Sequence, residues 1–110
     1  MATVTNLAID QGAEFYRTMT VTDTNKVIIN LTNCVINAQL RKNYTSSTFV
    51  PIVTTILNVA LGKVSISLSA ETTAAIKNGR YVYDVELTSV EGKIYRILEG
   101  SVTISPNVTR

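Results

Sequence analysis

The sequence predicts a single all-β domain in which two sheets pack face to face as a sandwich. Three observations support this fold class. Apolar and polar residues alternate with a period of two along most of the chain, which is typical of half-buried strands. Roughly seven such segments follow one another, with turn signals about every 8–12 residues. Hydrophobic residues make up 45% of the 110 residues and charged residues 16%, which supplies one core and argues against disorder.

The first half of the chain shows this alternation clearly in two segments. One runs from Glu14 to Val21 and precedes a turn predicted at 22–25, where Asp and Asn side chains bond to their own backbone. A second strand is predicted at 34–41, with a polar outer face. The residues predicted to face inward are Phe15, Met19 and Val21 in the first segment, and Cys34, Ile36, Ala38 and Leu40 in the second.

Pro51 limits how the next strand, predicted at 48–59, can pair. Because proline has no backbone N–H to donate, this Val-, Ile- and Thr-rich segment is expected to lie at a sheet edge or to bulge near Pro51. A polar loop at 43–47 precedes it. After a turn at 61–62, another strand is predicted at 63–68, with its apolar residues facing inward.

A short helix is predicted where the strand pattern stops, between Ser69 and Gly79, as a crossover between strands. Ser69 suits the N-cap, because its hydroxyl can accept a hydrogen bond from a free backbone N–H. Glu71 in the first turn and Lys77 in the last turn match the helix dipole. Gly79 suits the left-handed residue that ends a helix. Two turns are too short to be stable alone, so packing through Ile76 is expected to hold them.

The last third of the chain predicts a β-hairpin with strands at 80–88 and 93–105 and with Val90-Glu91-Gly92 at its tip. A two-residue loop at Glu91-Gly92 and a four-residue loop starting at Ser89 give the same facing, because each has an even number of residues. The predicted core face carries Tyr81, Tyr83, Val85, Leu87, Ile94, Leu98, Val102 and Ile104. The predicted outer face carries Val82, Asp84, Glu86, Tyr95, Ile97, Glu99 and Thr103.

Arg96 does not fit the core face on which this facing places it. One explanation is a position near the rim, from which the guanidinium extends to water. The other is a bulge that rotates the side chain toward Asp84 or Glu86. The rim position is the simpler of the two and is preferred.

The composition excludes several classes of site. The chain has no histidine and one cysteine, Cys34, so it offers no Ser-His-Asp or Cys-His arrangement, no thiolate cluster and no intramolecular disulfide. Cys34 is expected to act as a small buried hydrophobe. The ten Lys and Arg residues are spread out, with Arg41-Lys42 the longest basic run, so nucleic-acid binding is not expected. No glycine-rich phosphate loop or calcium loop is present, and we expect no metal and no cofactor.

The chain also lacks the signals of membrane insertion and export. No apolar stretch reaches the ~18 residues of a membrane helix. The segment from Met1 to Val4 lacks the basic and apolar blocks of a signal peptide. We therefore expect synthesis in a cytoplasm and no membrane partner.

Asp84 and Glu86 are the close pair of carboxylates in a predicted strand. They point to the same side about 7 Å apart, a separation that suits glycosidic hydrolysis. A solvated outer face of the hairpin explains them more simply, and the chain has no tryptophan that would indicate a sugar cleft. We therefore expect no catalytic residues and no enzymatic activity.

The C-terminal third carries three motifs that resemble a known group of proteins. They are Leu-Ser-Ala-Glu-Thr-Thr-Ala from residue 68, Gly-Arg-Tyr-Val-Tyr-Asp from residue 79, and Arg-Ile-Leu-Glu-Gly-Ser-Val-Thr-Ile-Ser-Pro-Asn-Val-Thr-Arg from residue 96. The segments at 9–15, 31–32 and 38–41 match more loosely, and 43–60 matches weakly. The motifs resemble small virion proteins of tailed bacteriophages, including many of cyanophages.

The resemblance implies both a fold and a role. The group is similar to the immunoglobulin-like N-terminal module of phage baseplate upper proteins. This implies an Ig-like antiparallel β-sandwich of about seven strands, with one short helical crossover at 69–79, in a single domain covering 1–110. It also implies a non-enzymatic virion structural protein, made in the bacterial host cytoplasm. Such a protein would dock on the capsid as a decoration or cement, or on the neck, tail or baseplate as an adaptor.

The partners implied are other virion proteins, together with further copies of the chain, because sites on a particle are symmetric. Tyr16, Tyr44 and Tyr95 are candidate exposed anchors, since tyrosine gives a large contact area at low entropy cost. Pro51 marks an edge where a partner strand can add, and Phe49 lies next to it in the sequence. We select Tyr44, Phe49, Pro51 and Tyr95 as the interface candidates. The alternative function is a host-surface carbohydrate- or receptor-binding module, which needs exposed aromatics on loops, and only Tyr44 obviously meets that need.

Overall fold

Eight strands and one short helix form the fold in the computed structural model, which describes residues 3–22, 25 and 27–106. The helix, α1 (Ala70–Ala75), lies between the sixth and seventh strands. The predicted all-β class with one helical crossover is confirmed. The strands are β1 (Thr3–Val4), β2 (Leu7–Asp10), β3 (Phe15–Thr20), β4 (Val35–Arg41), β5 (Val50–Asn58), β6 (Lys63–Leu68), β7 (Gly79–Thr88) and β8 (Ile94–Ser105).

The strands form two sheets that share β5. The front sheet contains β4, β7 and β8, with β1 and β2 along the outer edge of β8, and the back sheet contains β3 and β6. β5 belongs to both sheets, because 50–52 pairs with β4 whereas 53–58 pairs with β6. The sheets therefore make a nearly closed sandwich around one core.

The pairing is antiparallel except at the start of the chain. β1 and β2 run parallel to β8, with Thr3 opposite Leu98. The expected antiparallel pairing is wrong for these two strands, because the chain enters along β8 in the same direction before it crosses to the back sheet. Tyr81, near the start of β7, donates its hydroxyl to the Lys77 carbonyl at 2.7 Å. This hydrogen bond ties the start of β7 to the corner that follows α1.

The core lies between the two sheets and contains the inward-facing residues that alternation predicts in β4, β6 and β7. Cys34 is half-buried against it. Asp23 and Thr24 of the predicted 22–25 turn lie outside the described residues. The buried apolar residues are Leu7, Ile9, Val21, Leu31, Ile36, Ala38, Leu40, Ile52, Val64, Ile66, Leu68, Ile76, Tyr83, Val85, Leu87, Leu98, Val102 and Ile104.

The start of α1 agrees with the prediction made from the sequence, but its end does not. The Ser69 hydroxyl accepts from the Thr72 N–H at 3.2 Å, as an N-cap does, and Ile76 is buried as expected. The helix ends at Ala75, so Lys77 lies beyond its last turn. Gly79 does not cap the helix: it opens β7 with a φ of +142°. These two expectations are wrong because Ile76 turns to extended backbone to bury its side chain, which stops the helix early.

Pro51 lies where β5 pairs with a single strand. It faces Gln39 of β4, and pairing with β6 begins only at Val53. The predicted edge position is therefore confirmed for this part of the strand. The irregularity in β5 lies farther along, between Ile56 and Asn58, where the register with β6 shifts. The missing N–H at Pro51 is thus accommodated without a bulge beside it.

The tip of the β7–β8 hairpin has three residues. The Ser89 N–H donates to the Lys93 carbonyl at 2.8 Å, and the Gly92 N–H donates to the Ser89 carbonyl at 2.9 Å. Gly92 has a φ of +86°, the left-handed position that closes a three-residue loop. Both even loop lengths considered from the sequence are wrong. An odd loop reverses the face on which the next residues of β8 lie.

A bulge in β8 restores the predicted facing. Glu86 is opposite Arg96 whereas Val85 is opposite Leu98, so Ile97 is an extra residue in β8. Leu98, Val102 and Ile104 consequently face the core as predicted, but the residues before the bulge do not. Ile94 and Arg96 lie on the outer face, and Tyr95 lies opposite Leu87. The rim position preferred for Arg96 is wrong, and the bulge is the correct explanation.

Candidate interaction surfaces

The outer face of β4, β7 and β8 is lined by polar side chains in cross-strand rows, and we call it the polar face. One row joins Asn37, Glu86 and Arg96, and the next joins Gln39, Asp84 and Glu99. A third pairs Arg41 with Val82. The rows form because every second residue of each strand points outward in this register. A depression of about 320 Å³ runs over these rows.

Arg96 lies between two carboxylates on the polar face. Its Nε is 3.4 Å from Asp84 Oδ2, and its Nη1 is 3.5 Å from Glu99 Oε1. The three side chains are partly exposed, so the ion pairs add little to stability. They do hold the guanidinium at a fixed place above the sheet. Within the described residues, the side chains of Asn37 and Glu86 have no hydrogen bond or ion pair, so their polar groups are free for a ligand.

The loop at 43–47 holds Tyr44 beside the polar face, with 75% of its surface exposed. Asn43 Oδ1 accepts from the Thr45 N–H at 3.1 Å and from the Ser46 hydroxyl at 3.1 Å. Arg41 binds the other side of the loop through the Ser46 carbonyl. This network fixes the loop backbone, as expected for a polar loop rich in Asn, Ser and Thr.

Arg41 also connects the polar face to Phe49. Its Nη2 donates to Gln39 Oε1 at 2.9 Å, and its guanidinium lies 5.0 Å from the centre of the Phe49 ring. Lys42 lies in the same way over Tyr81, at 4.8 Å. These contacts surround a second depression, of about 430 Å³, between the 48–50 segment and the corner after α1.

The opposite end of β4 and β7 is apolar, and we call it the apolar end. A depression of about 480 Å³ there is lined by Ile29, Cys34, Leu87, Tyr95 and Ile97, with polar atoms from neighbouring residues at its rim. Four large apolar side chains at this end are exposed. Val90 (69%) and Tyr95 (47%) line the depression, whereas Ile94 (63%) and Val35 (55%) lie on the outer face of the front sheet. Val35 and Ile94 lie in one cross-strand row on either side of Thr88.

One edge of β8 is open beside the apolar end. β1 pairs with β8 from Leu98 onward, and none of the described strands pairs with that edge over 94–96. Unpaired backbone groups beside apolar side chains are the features that allow a partner strand to add.

The four candidates selected from the sequence are all exposed, but they do not form one site. Tyr44, Phe49 and Pro51 lie around the Gln39–Arg41 end of β4. Tyr95 lies at the other end, among the residues of the apolar end. Alternation correctly puts Val35 on the outer face of β4, and Val90 lies at the hairpin tip as predicted, but sequence reasoning placed the exposed Ile94 on the core face. The available signal was Gly92, which fits the left-handed place of a three-residue loop and so reverses Ile94.

Metal-binding clusters and membrane-spanning helices are both missing from the described residues. Groups of three or more Asp, Glu, Cys or His side chains placed to hold a metal ion are absent from them. Among the same residues, the one helix is too short and too polar to cross a membrane.

Comparison with known proteins assigns no family. No family model matches the chain, and no curated protein matches it. An internalin-like protein of Listeria monocytogenes matches at 14% identity and a TM-score of 0.42, covering 96% of this chain and 28% of the other. A family 123 glycoside hydrolase from Clostridium perfringens, described in connection with glycolipid glycan hydrolysis, matches at 16% identity and a TM-score of 0.44. It covers 97% of this chain and 24% of the hydrolase.

The chain spans about a quarter of the length of these two proteins. Likenesses of this size carry no argument about activity, substrate or location.

Proposed function

We propose that the protein is a non-enzymatic structural component of a bacteriophage particle, a small docking module on the capsid, neck, tail or baseplate. The observation that carries the proposal is the apolar end. Val90 and Tyr95 are exposed there at a depression of about 480 Å³, and Val35 and Ile94 are exposed on the outer face of the same end. The sequence motifs that resemble tailed-phage virion proteins supply the setting.

The composition of the apolar end suits a permanent contact. Its exposed side chains are three aliphatic residues and one tyrosine, the kind of surface that obligate interfaces bury. Tyr95 supplies the aromatic anchor in this set, with Leu87 opposite it in the β-ladder. Large apolar side chains exposed at one end of a domain are a recognised mark of a protein-binding surface.

The open edge of β8 supports the same role. A partner strand placed along 94–96 would satisfy the free backbone groups and cover Ile94 and Tyr95 in one step. The proposed partners are other virion proteins, with further copies of this chain occupying the symmetric sites of the particle. Assembly would take place in the bacterial cytoplasm.

The first test is mass spectrometry of particles purified from infected cells. The chain should be present at a fixed number of copies relative to the major shell or tail protein. Its absence from mature particles would contradict the proposal.

The second test asks whether the apolar end makes the contact. Ile94→Lys, supplied during infection, should lower incorporation into particles about tenfold or more, because desolvating an unpaired ammonium exceeds the ~1.4 kcal/mol that a tenfold change represents. Val53→Lys is the matched control, since Val53 is similarly exposed but lies on the back sheet. Equal incorporation of both variants would show that docking uses another surface.

A further inference from the structure

We propose that the polar face is a binding site for a neutral carbohydrate, with Tyr44 as the stacking platform and the rows of β4 and β7 as the hydrogen-bonding floor. Tyr44 lies at the other end of β4 from the apolar end, whereas the Asn37–Glu86–Arg96 row adjoins the Val35–Thr88–Ile94 row. The site uses the polar side chains of this face, and the proposal does not rest on the docking role.

Tyr44 has the properties of a preorganised platform. Its ring is 75% exposed and borders the depression over the polar face. The hydrogen bonds of Asn43 with Thr45 and Ser46, and of Arg41 with the loop, fix the backbone that carries it. A loop backbone held in place before binding loses little conformational entropy when a sugar stacks on the tyrosine it carries.

The floor of the depression offers free polar groups next to fixed ones. Asn37 and Glu86 are unpaired among the described residues, and they lie side by side in one row. Arg96 completes that row and is held by its ion pairs. An amide, a carboxylate and a guanidinium in a row can donate to and accept from adjacent sugar hydroxyls, which a hydroxyl-rich ligand requires for orientation.

The charge on this surface favours a neutral ligand. Two carboxylates line the depression, those of Asp84 and Glu86, and two guanidiniums line it, those of Arg41 and Arg96. An anionic or cationic ligand would gain no net attraction from a balanced set. The apolar floor contributed by Val82 suits the C–H face of a sugar ring.

The dimensions suit a short segment of a glycan chain. The rows from Arg41 to Asn37 span about 13 Å at ~3.3 Å per residue along a strand. The depression holds about 320 Å³, at the lower end of the ~300–1,000 Å³ of ligand pockets. Because it lies on the outer surface of a sheet, a longer chain can extend beyond it at both ends.

The test is an NMR titration of the 15N-labelled protein with a panel of neutral oligosaccharides: cello-, malto-, manno- and chito-oligosaccharides, each to millimolar concentration. We expect at least one series to shift the amide signals of Asn37, Tyr44, Glu86 and Arg96 in a saturable way. Tyr44→Ala should weaken that binding roughly tenfold. Tyr16→Ala, which removes another exposed tyrosine from the back sheet, should leave it unchanged.

Three outcomes would overturn the proposal. One is the absence of saturable shifts with every series. A second is binding that Tyr44→Ala leaves intact, and a third is equal loss of binding in Tyr16→Ala. Glu86→Gln keeps the shape of the floor and adds a check, since it should weaken binding a few-fold without changing the unfolding midpoint. Incorporation into particles is measured separately, so either proposal can fail alone.

Discussion

Tyr83 is the residue whose chemistry the fold changes most. Its side chain is buried in the front sheet, and its hydroxyl donates to the Thr5 carbonyl at 2.7 Å, tying β7 to the segment between β1 and β2. Burial raises its pKa to about 12 by desolvating the ionised form, and the positive charge of Arg17 acts in the opposite direction. The buried phenol is therefore held neutral by its surroundings.

This shift makes stability depend on pH in the alkaline range. The folded pKa of about 12 is above the ordinary value of 10.0, so the contribution is complete below pH 10. Between pH 10 and pH 12 the Tyr83 hydroxyl loses its proton in the unfolded chain but keeps it in the folded chain. The free energy of unfolding therefore falls as pH rises through this range. Denaturant titrations of Tyr83→Phe should show a shallower fall over this window, after a loss of about 1 kcal/mol at neutral pH for the hydrogen bond.

Tyr16→Phe is the control for that experiment, because Tyr16 is exposed on the back sheet. In Tyr16→Phe, the free energy of unfolding should fall with pH as steeply as it does in the natural protein. If the free energy of unfolding of Tyr83→Phe falls with pH as steeply as that of the natural protein, the assignment of this pH dependence to Tyr83 is contradicted.

At the residue level, sequence reasoning succeeded where a local rule decides the outcome. Ser69 caps the helix because hydroxyls at that place accept free N–H groups, and this needs no knowledge of the fold. It failed at Gly79, whose φ of +142° serves the start of β7. It also failed to single out Thr73, whose fully buried hydroxyl donates to the Ala13 carbonyl at 2.8 Å, because that contact joins distant parts of the chain.

Among the elements, the pair of parallel strands at the start of the chain depends on one glycine. A Cβ placed on Gly100 of β8 would lie 2.1 Å from the Thr5 carbonyl oxygen, so only glycine permits the crossing between β1 and β2. The Ser101 N–H donates to Asn6 Oδ1 at 3.1 Å in the same place. The close approach and the hydrogen bond together fix where the first strands lie.

Gly100→Ala should therefore destabilise the protein by about 3 kcal/mol or more, because backbone must move to relieve the contact. Chemical denaturation measures this loss, and hydrogen exchange should show faster exchange in 3–10. Gly92→Ala is the matched control: a Cβ there meets nothing within 4 Å, and only the left-handed φ opposes it. Gly92→Ala should lower the free energy of unfolding by about 1 kcal/mol. Comparable losses in both variants would mean that the crossing does not limit stability.

The β7–β8 hairpin shows why strand facing is hard to predict from alternation. The alternation of apolar and polar residues predicts the core residues of β8 correctly from Leu98 onward, but it assigns Ile94 and Tyr95 to the wrong faces. The three-residue tip reverses the face on which the side chains of β8 lie, and the extra residue Ile97 reverses it again, so the two effects cancel. Because the two reversals cancel, the far end of the strand looks regular. Gly92 in the loop and the misfit of Arg96 on the core face were the signals that indicated them.

For the molecule as a whole, the two outer faces differ in charge. The front sheet carries the charged polar face, whereas the outer face of the back sheet is mainly hydroxyl-bearing, with Thr18, Thr55, Ser65 and Ser67 in paired rows. Its edge strand, β3, pairs only with β6 among the described strands. An edge strand whose outer face carries no charge is prone to pair with other chains.

Arg17 opposes that pairing. It lies opposite Ile66, on the inward face of β3 with Phe15 and Met19, where an incoming strand would have to cover its charge. Arg17→Val should therefore raise the mass measured by light scattering as concentration rises. Arg80→Val removes the same charge from β7 and should behave as the natural protein does. An Arg17→Val variant with unchanged mass would contradict this role.

The sandwich and its closing hairpin could be predicted because alternation and turn residues are local signals. The shared strand β5 could not, since its Val, Ile and Thr residues suit either sheet and only Pro51 indicated a change of neighbour. The candidate surfaces were predicted in part. Tyr44 is exposed as expected, but the grouping of Val35 with Ile94 depends on a register that only the three-dimensional structure supplies.

The parallel alignment of β2 with β8 has a mechanical consequence. Because the chain enters at the start of one strand and leaves at the end of its neighbour, tension between the two termini pulls these strands along their length in opposite directions. Leu7 to Asp10 would have to slide past Val102 to Ser105 as a unit, with all the hydrogen bonds between them loaded together. Stretching the chain would therefore have to shear all of these hydrogen bonds at once, which takes more force than opening them one at a time.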